Sequence, residues 1–140
     1  MKIILVFVMI FVLGFLAAGV NAESLSVETD LSKAFDRAKA ENKMLFIQFG
    51  REACGNCQNL KTLVKGNKLD LNSKEFIYAD LNCDDSKTEQ LFYSKFRGSG
   101  STLPFVVIAD SSGKQLSFRT GYGNAEEYNK FIKEAKAKIK

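Results

Sequence analysis

With 140 residues, 46% of them hydrophobic and 26% charged, and a net charge of +4, the chain has the composition of one folded domain rather than of a disordered segment or a two-domain protein. It holds three cysteines, one proline, no tryptophan and no histidine. The missing histidine excludes a Ser-His-Asp triad, a Cys-His nucleophile pair, a His-ligated zinc site and a histidine pH switch within this chain, so any catalysis falls to Cys, carboxylates, Lys, Tyr or Ser.

The first segment reads as a secretory signal. Lys2 precedes an uncharged stretch from Ile3 to Val20, and Val20-Asn21-Ala22 supplies a small-residue cleavage pattern. Cleavage after Ala22 leaves residues 23–140 as the mature domain, periplasmic or secreted, with no stable membrane anchor. The alternative is an uncleaved N-terminal anchor, because 18 uncharged residues lie at the lower limit for spanning a bilayer. Gly14, Ala17, Ala18 and Gly19 weaken the end of the stretch and favour cleavage. The mature chain loses one basic residue, Lys2, and keeps a charge near +3. The lysines of the C-terminal segment alternate with Glu126, Glu127 and Glu134, the pattern of a solvated helix face rather than of a nucleic-acid surface. An oxidising compartment implies that cysteines pair or do redox chemistry, and an odd number leaves one without an internal partner.

Within Ser26 to Lys43, Asp30 precedes Leu31, Ala34, Phe35 and Ala38, a capped helical stripe. Met44 to Phe49 is an apolar run broken only by Gln48, as expected of a strand covered on both faces. After Gly50 to Gly55 a helical pattern passes through Cys57, Leu60, Leu63 and Val64 and stops at Gly66-Asn67. Phe76 to Leu81 reads as a strand. Ser86 and Glu89 form an S-x-x-E capping box ahead of a helix with Leu91, Phe92 and Phe96. A Gly/Ser loop leads through Leu103-Pro104 into the strand Phe105 to Ala109, and the turn Asp110 to Gly113 leads to Gln115–Arg119, an antiparallel hairpin. Asn124, with Glu127 three residues on, opens a final amphipathic helix. The expected order is helix, strand, helix, strand, helix, strand, strand, helix, without repeats or interdomain linkers.

Cys54-Gly55-Asn56-Cys57 stands at the start of a helix just after a buried strand. Unpaired backbone N–H groups and the positive end of the helix dipole stabilise an anion there, so Cys54 is the expected nucleophile. Cys57, one turn on, can attack a mixed disulfide on Cys54 and release a reduced substrate. Gly55 permits close approach, and Asn56 keeps a backbone N–H where such motifs often have proline. Other readings compete. A c-type haem site would need His where Gln58 stands. A zinc site would need a fourth ligand beside Cys54, Cys57 and Cys83. A purely structural disulfide would close so short a loop that it adds little stability.

Phe46-Ile47-Gln48-Phe49 before Cys54-Gly55-Asn56-Cys57, Leu103-Pro104-Phe105 before an apolar strand, and Ser112-Gly113-Lys114 at a hairpin resemble the thioredoxin superfamily, and within it the secreted bacterial thioredoxin-like proteins. The resemblance covers about residues 30–138. It implies an α/β thioredoxin-like fold, a central mixed sheet flanked by helices. It also implies thiol–disulfide exchange with exported proteins, a redox partner that resets the cysteine pair, and no cofactor. In that family the proline matching Pro104 is cis and lies beside the cysteine pair, where the backbone at Leu103 pairs with the substrate chain.

Four departures from the family stand out, the first at two positions. The tryptophan before the first cysteine is Ala53, and an aromatic three residues earlier is Gly50, so less apolar surface surrounds Cys54. The buried aspartate that relays the proton of the second cysteine is Gln48, which hydrogen-bonds but does not titrate. Its partner lysine in the next strand is Asp80, and the expectation is that this carboxylate takes over the relay. Cys83, after that strand, is either a small buried apolar residue or a third redox-accessible thiol. The reading from another class is a thioredoxin-fold binding module that keeps Cys54–Cys57 as a static disulfide.

Overall fold

A computed structural model of the chain describes residues 23–139, and the proposed signal segment lies outside them. The apolar runs form strands because helices cover both of their faces. In chain order the elements are β1 (Ser26–Glu28), α1 (Leu31–Glu41), β2 (Met44–Gly50), α2 (Gly55–Lys65), β3 (Phe76–Asn82), α3 (Ser86–Lys95), β4 (Phe105–Ala109), β5 (Gln115–Thr120) and α4 (Ala125–Lys136). The sheet order is β1-β3-β2-β4-β5. β3 runs parallel to both β1 and β2, whereas β4 is antiparallel to β2 and β5.

Period-two alternation sorts the central strands into two cores. Leu45, Ile47 and Phe49 face α1 and α3 together with Ile77, Ala79, Leu81 and Val107. Met44 and Phe46 face α2 and α4 together with Tyr78, Val106 and Ile108. All seven residues of β2 are buried, and each large apolar side chain so buried contributes about 1.5–3 kcal/mol. Gln48 falls on the α2 side, directly opposite Asp80 in the β2–β3 register.

Two local expectations are corrected. The expected order begins with a helix, but a short edge strand, Ser26–Glu28, precedes it, held by Arg37 of α1 through Glu28 at 3.0 Å and Ser26 Oγ at 2.8 Å. The cap of α3 is Asp85, one residue before the expected Ser86, and its carboxylate accepts the Thr88 N–H at 2.8 Å. Asp30 and Asn124 cap α1 and α4 as expected.

Candidate active site

β2 ends at Gly50, the chain turns, and α2 begins on the same side of the sheet as Gln48. Cys54 is the N-cap of α2, with extended backbone (φ −95°, ψ 111°). Its sulfur accepts the Cys57 N–H at 3.2 Å, and its carbonyl accepts the Gln58 N–H at 3.0 Å. The sulfur thus occupies the position at which a helix N-terminus offers an unsatisfied donor. The two sulfurs are joined as a disulfide, with the Cα atoms 5.2 Å apart. Their exposure differs sharply: Cys54 is partly exposed and Cys57 is completely buried.

Cys57 is seated by what lies around it. A Cβ on Gly50 would fall 2.6 Å from Cys57 Sγ, so only glycine lets α2 sit this close to the end of β2. The same hypothetical atom would be 3.8 Å from Pro104, which places the proline beside the pair. The Leu103–Pro104 peptide bond is cis. Pro104 O accepts the Gly121 N–H at 3.0 Å, and Asn56 Nδ2 donates to Leu103 O at 3.4 Å.

Beneath the pair, Gln48 is fully buried. Its Nε2 donates to Cys57 O at 2.9 Å, and its Oε1 accepts the Tyr78 hydroxyl at 2.6 Å. Burial above all, helped by the negative charge of Asp80, pushes the Tyr78 phenol well above its ordinary range, so it is a donor at any physiological pH. Asp80 is paired with Lys61 Nζ at 3.0 Å, and Glu52 lies 3.9 Å from the same ammonium. Gly50, Glu52, Lys61 and Asp80 line one cavity of about 230 Å³.

Cys83 takes no part in the disulfide. It is free, partly buried against the α1/α3 core, and its N–H donates to Gly50 O at 2.8 Å. Arg51 donates to its sulfur from both Nε and Nη2 at 3.4 Å and also pairs with Asp84 at 3.0 Å. The hydrogen bond to Cys83 is the main reason that the Arg51 guanidinium is held above its usual value.

The structure therefore brings Cys54, Cys57, Leu103 and Pro104 into one cluster, with Gln48 in contact below it and Asp80 in the adjoining cavity. Tyr78, Lys61 and Arg51 were not singled out from the sequence, and Asn56 was noted for its backbone N–H rather than for its side chain. For Lys61 a signal existed: it lies four residues after Cys57 and so on the same face of α2.

A family model described as a thioredoxin-like domain matches residues 31–136. No curated protein matches the chain by sequence. Among solved structures, a thioredoxin-like protein from Clostridium perfringens is 18% identical, with a TM-score of 0.61 over 87% of this chain and 92% of that one. A thioredoxin h from poplar is 13% identical, with a TM-score of 0.58 over 79% and 96%. Thioredoxin from Fasciola hepatica is 18% identical, with a TM-score of 0.57 over 79% and 99%. At such identities these structures share the fold, and a family match that spans most of the chain adds the membership: the protein belongs to the thioredoxin-like domain family, with a cysteine pair fit for thiol–disulfide redox chemistry.

Proposed function

We propose that this protein is an exported thiol–disulfide oxidoreductase that acts on other exported proteins, with Cys54 as the attacking and Cys57 as the resolving cysteine. One observation carries the reading. The accessible sulfur sits at the N-terminus of α2 and accepts a backbone N–H at 3.2 Å, while its partner is buried behind it. In the reduced protein that donor and the helix dipole favour the Cys54 thiolate. The thiolate attacks one sulfur of a substrate disulfide; a Cys54–substrate bond forms and the first substrate thiolate leaves. Cys57, having lost its proton, then attacks Cys54 Sγ, reforms the intramolecular disulfide and releases the second thiolate. Two electrons pass to the substrate, and its two thiolates take up protons equal in number to those lost by the pair. Run backwards, the same steps oxidise a dithiol, and the redox partner that resets the pair decides which way it works. Leu103 and Pro104 border the reacting sulfur and hold the substrate chain. Asp80 exchanges the Cys57 proton through the cavity that Gly50 leaves open.

Reduction of insulin disulfides by the mature protein tests the proposal. The expected result is turnover that is lost in Cys54→Ser and a mixed disulfide that accumulates in Cys57→Ser. Binding of polypeptides without turnover in the native protein would instead identify a binding module with a static disulfide. In exporting cells the mature mass should correspond to a chain starting at Glu23, and a full-length, membrane-bound product would replace export by anchoring.

A further inference from the structure

We propose that Asn56 is a specificity-determining residue whose carboxamide occupies the Leu103 carbonyl as a stand-in for a substrate main-chain N–H and is displaced when a cysteine-containing peptide lies along Leu103. The inference rests on the redox reading above and names how that site recognises its substrate. Leu103 precedes Phe105, the first residue of β4, whose partners Phe49 and Thr120 belong to the flanking strands. Neither ladder reaches Leu103. Among the described residues its N–H and C=O have no backbone partner, and Asn56 Nδ2 is the one side chain bonded to it. Backbone groups of folded proteins are otherwise nearly all paired. An unused donor and a loosely held acceptor beside the reactive sulfur form the edge that an extended peptide joins through its main chain.

The contact is placed to be given up. At 3.4 Å it lies at the long end of hydrogen bonding, so losing it costs little. Nothing stands within 4 Å of where a Cβ on Gly55 would project, which leaves space above the first turn of α2 for an arriving strand. Asn56 reaches toward Leu103 and bonds neither sulfur, whereas Cys54 Sγ is bonded by the Cys57 backbone. Its side chain therefore acts on the substrate's access to Leu103 rather than on the charge of the thiolate.

The test is steady-state reduction of a disulfide-bridged peptide by the mature protein, with dithiothreitol as electron source. Asn56→Ala removes the carboxamide, and Asn56→Leu keeps its bulk without a donor. Both variants should lower KM by about two- to tenfold, the span of one modest hydrogen bond, with kcat and the equilibrium with glutathione held. An unmoved KM overturns the proposal, as does a KM lowered in Asn56→Ala alone, which would mean that space rather than the donor matters. A shifted glutathione equilibrium at constant KM also overturns it. As a readout independent of turnover, the side-chain amide resonances of Asn56 should move toward their solvent-exposed position in the mixed disulfide trapped with Cys57→Ser. Resonances that stay put contradict displacement. Absence of any turnover by the native protein would sink the redox reading and this inference with it, whereas turnover with unmoved KM overturns the inference alone.

Discussion

Gly50 decides how closely Cys57 can sit against the sheet, because a side chain there would overlap the buried sulfur. Gly50 also lines the cavity that holds Asp80 and Lys61. Gln48 touches the cysteine but has no proton to exchange, and both ends of its amide are already engaged. The groups that face Asp80 are the ammonium of Lys61, the carboxylate of Glu52 beyond it and the neutral phenol of Tyr78. Asp80→Asn should therefore slow the second step, attack of Cys57 on the mixed disulfide, by about a hundredfold at neutral pH, the lower range for a positioned base. Gln48→Ala, by contrast, should weaken the fold and leave the rate of that step largely unchanged. Stopped-flow measurement of substrate thiol release at neutral pH decides, and a native rate in Asp80→Asn beside a slowed step in Gln48→Ala would remove Asp80 from the proton route. The cysteine pair, Gln48, Asp80 and Pro104 could be picked out in the sequence because each belongs to a motif, borders a strand or interrupts an apolar strand run. Tyr78 and the side-chain role of Asn56 were not, since they depend on a distant partner: Gln48 is 30 residues from Tyr78, and Leu103 is 47 from Asn56.

At the scale of elements, what could be read depended on length and on local chemistry. Long apolar runs and helical stripes declared themselves, because burial on both faces of a sheet leaves few polar positions. β1 did not: three residues show no periodicity, and its place comes from pairing with β3, some fifty positions on. The α3 cap was read one residue late because Ser86 completes a motif, yet the Asp85 carboxylate accepts the Thr88 N–H, and hydrogen bonding from the Thr88 side chain first and its N–H second holds it below the ordinary aspartate range. The cap of α4 was fully legible, and both halves of its box are made, Asn124 and Glu127 each accepting the other's N–H at 2.9 Å. Asn124→Ala should lower stability by about 1 kcal/mol, read as a lower urea midpoint with an unchanged slope. A changed slope would mean that α4 frays by itself rather than with the domain.

For the whole molecule the decisive fact is that one sheet serves two cores, so damage to either should unfold both. The α2/α4 core contains two buried phenols, Tyr78 and Tyr128, on either side of Phe46 at ring distances of 6.1 and 6.3 Å. Burial raises both above the ordinary tyrosine value, Tyr78 far above it and Tyr128 to about 12 despite the opposing Arg119 guanidinium. A group whose pKa is raised by folding binds its proton more tightly in the folded state, so the stability linked to it is complete below its unfolded pKa, near pH 10, and is lost as pH rises through the folded value. Stability should thus hold up to about pH 10 and then fall by about 1.4 kcal/mol per pH unit for each phenol that must ionise. Urea unfolding between pH 9 and 12 measures this. Tyr128→Phe should remove one proton's worth of slope, and the double variant with Tyr78→Phe should remove two. Tyr78→Phe also leaves Gln48 Oε1 without its donor, so its stability at neutral pH should drop by about 1–3 kcal/mol. Far-UV circular dichroism and, at neutral pH in a background with Tyr78, Tyr122 and Tyr128 changed to Phe, the fluorescence of Tyr93 on α3 across the sheet should report one transition. Separate transitions would show that the α1/α3 core outlives the other and that the shared sheet does not couple them.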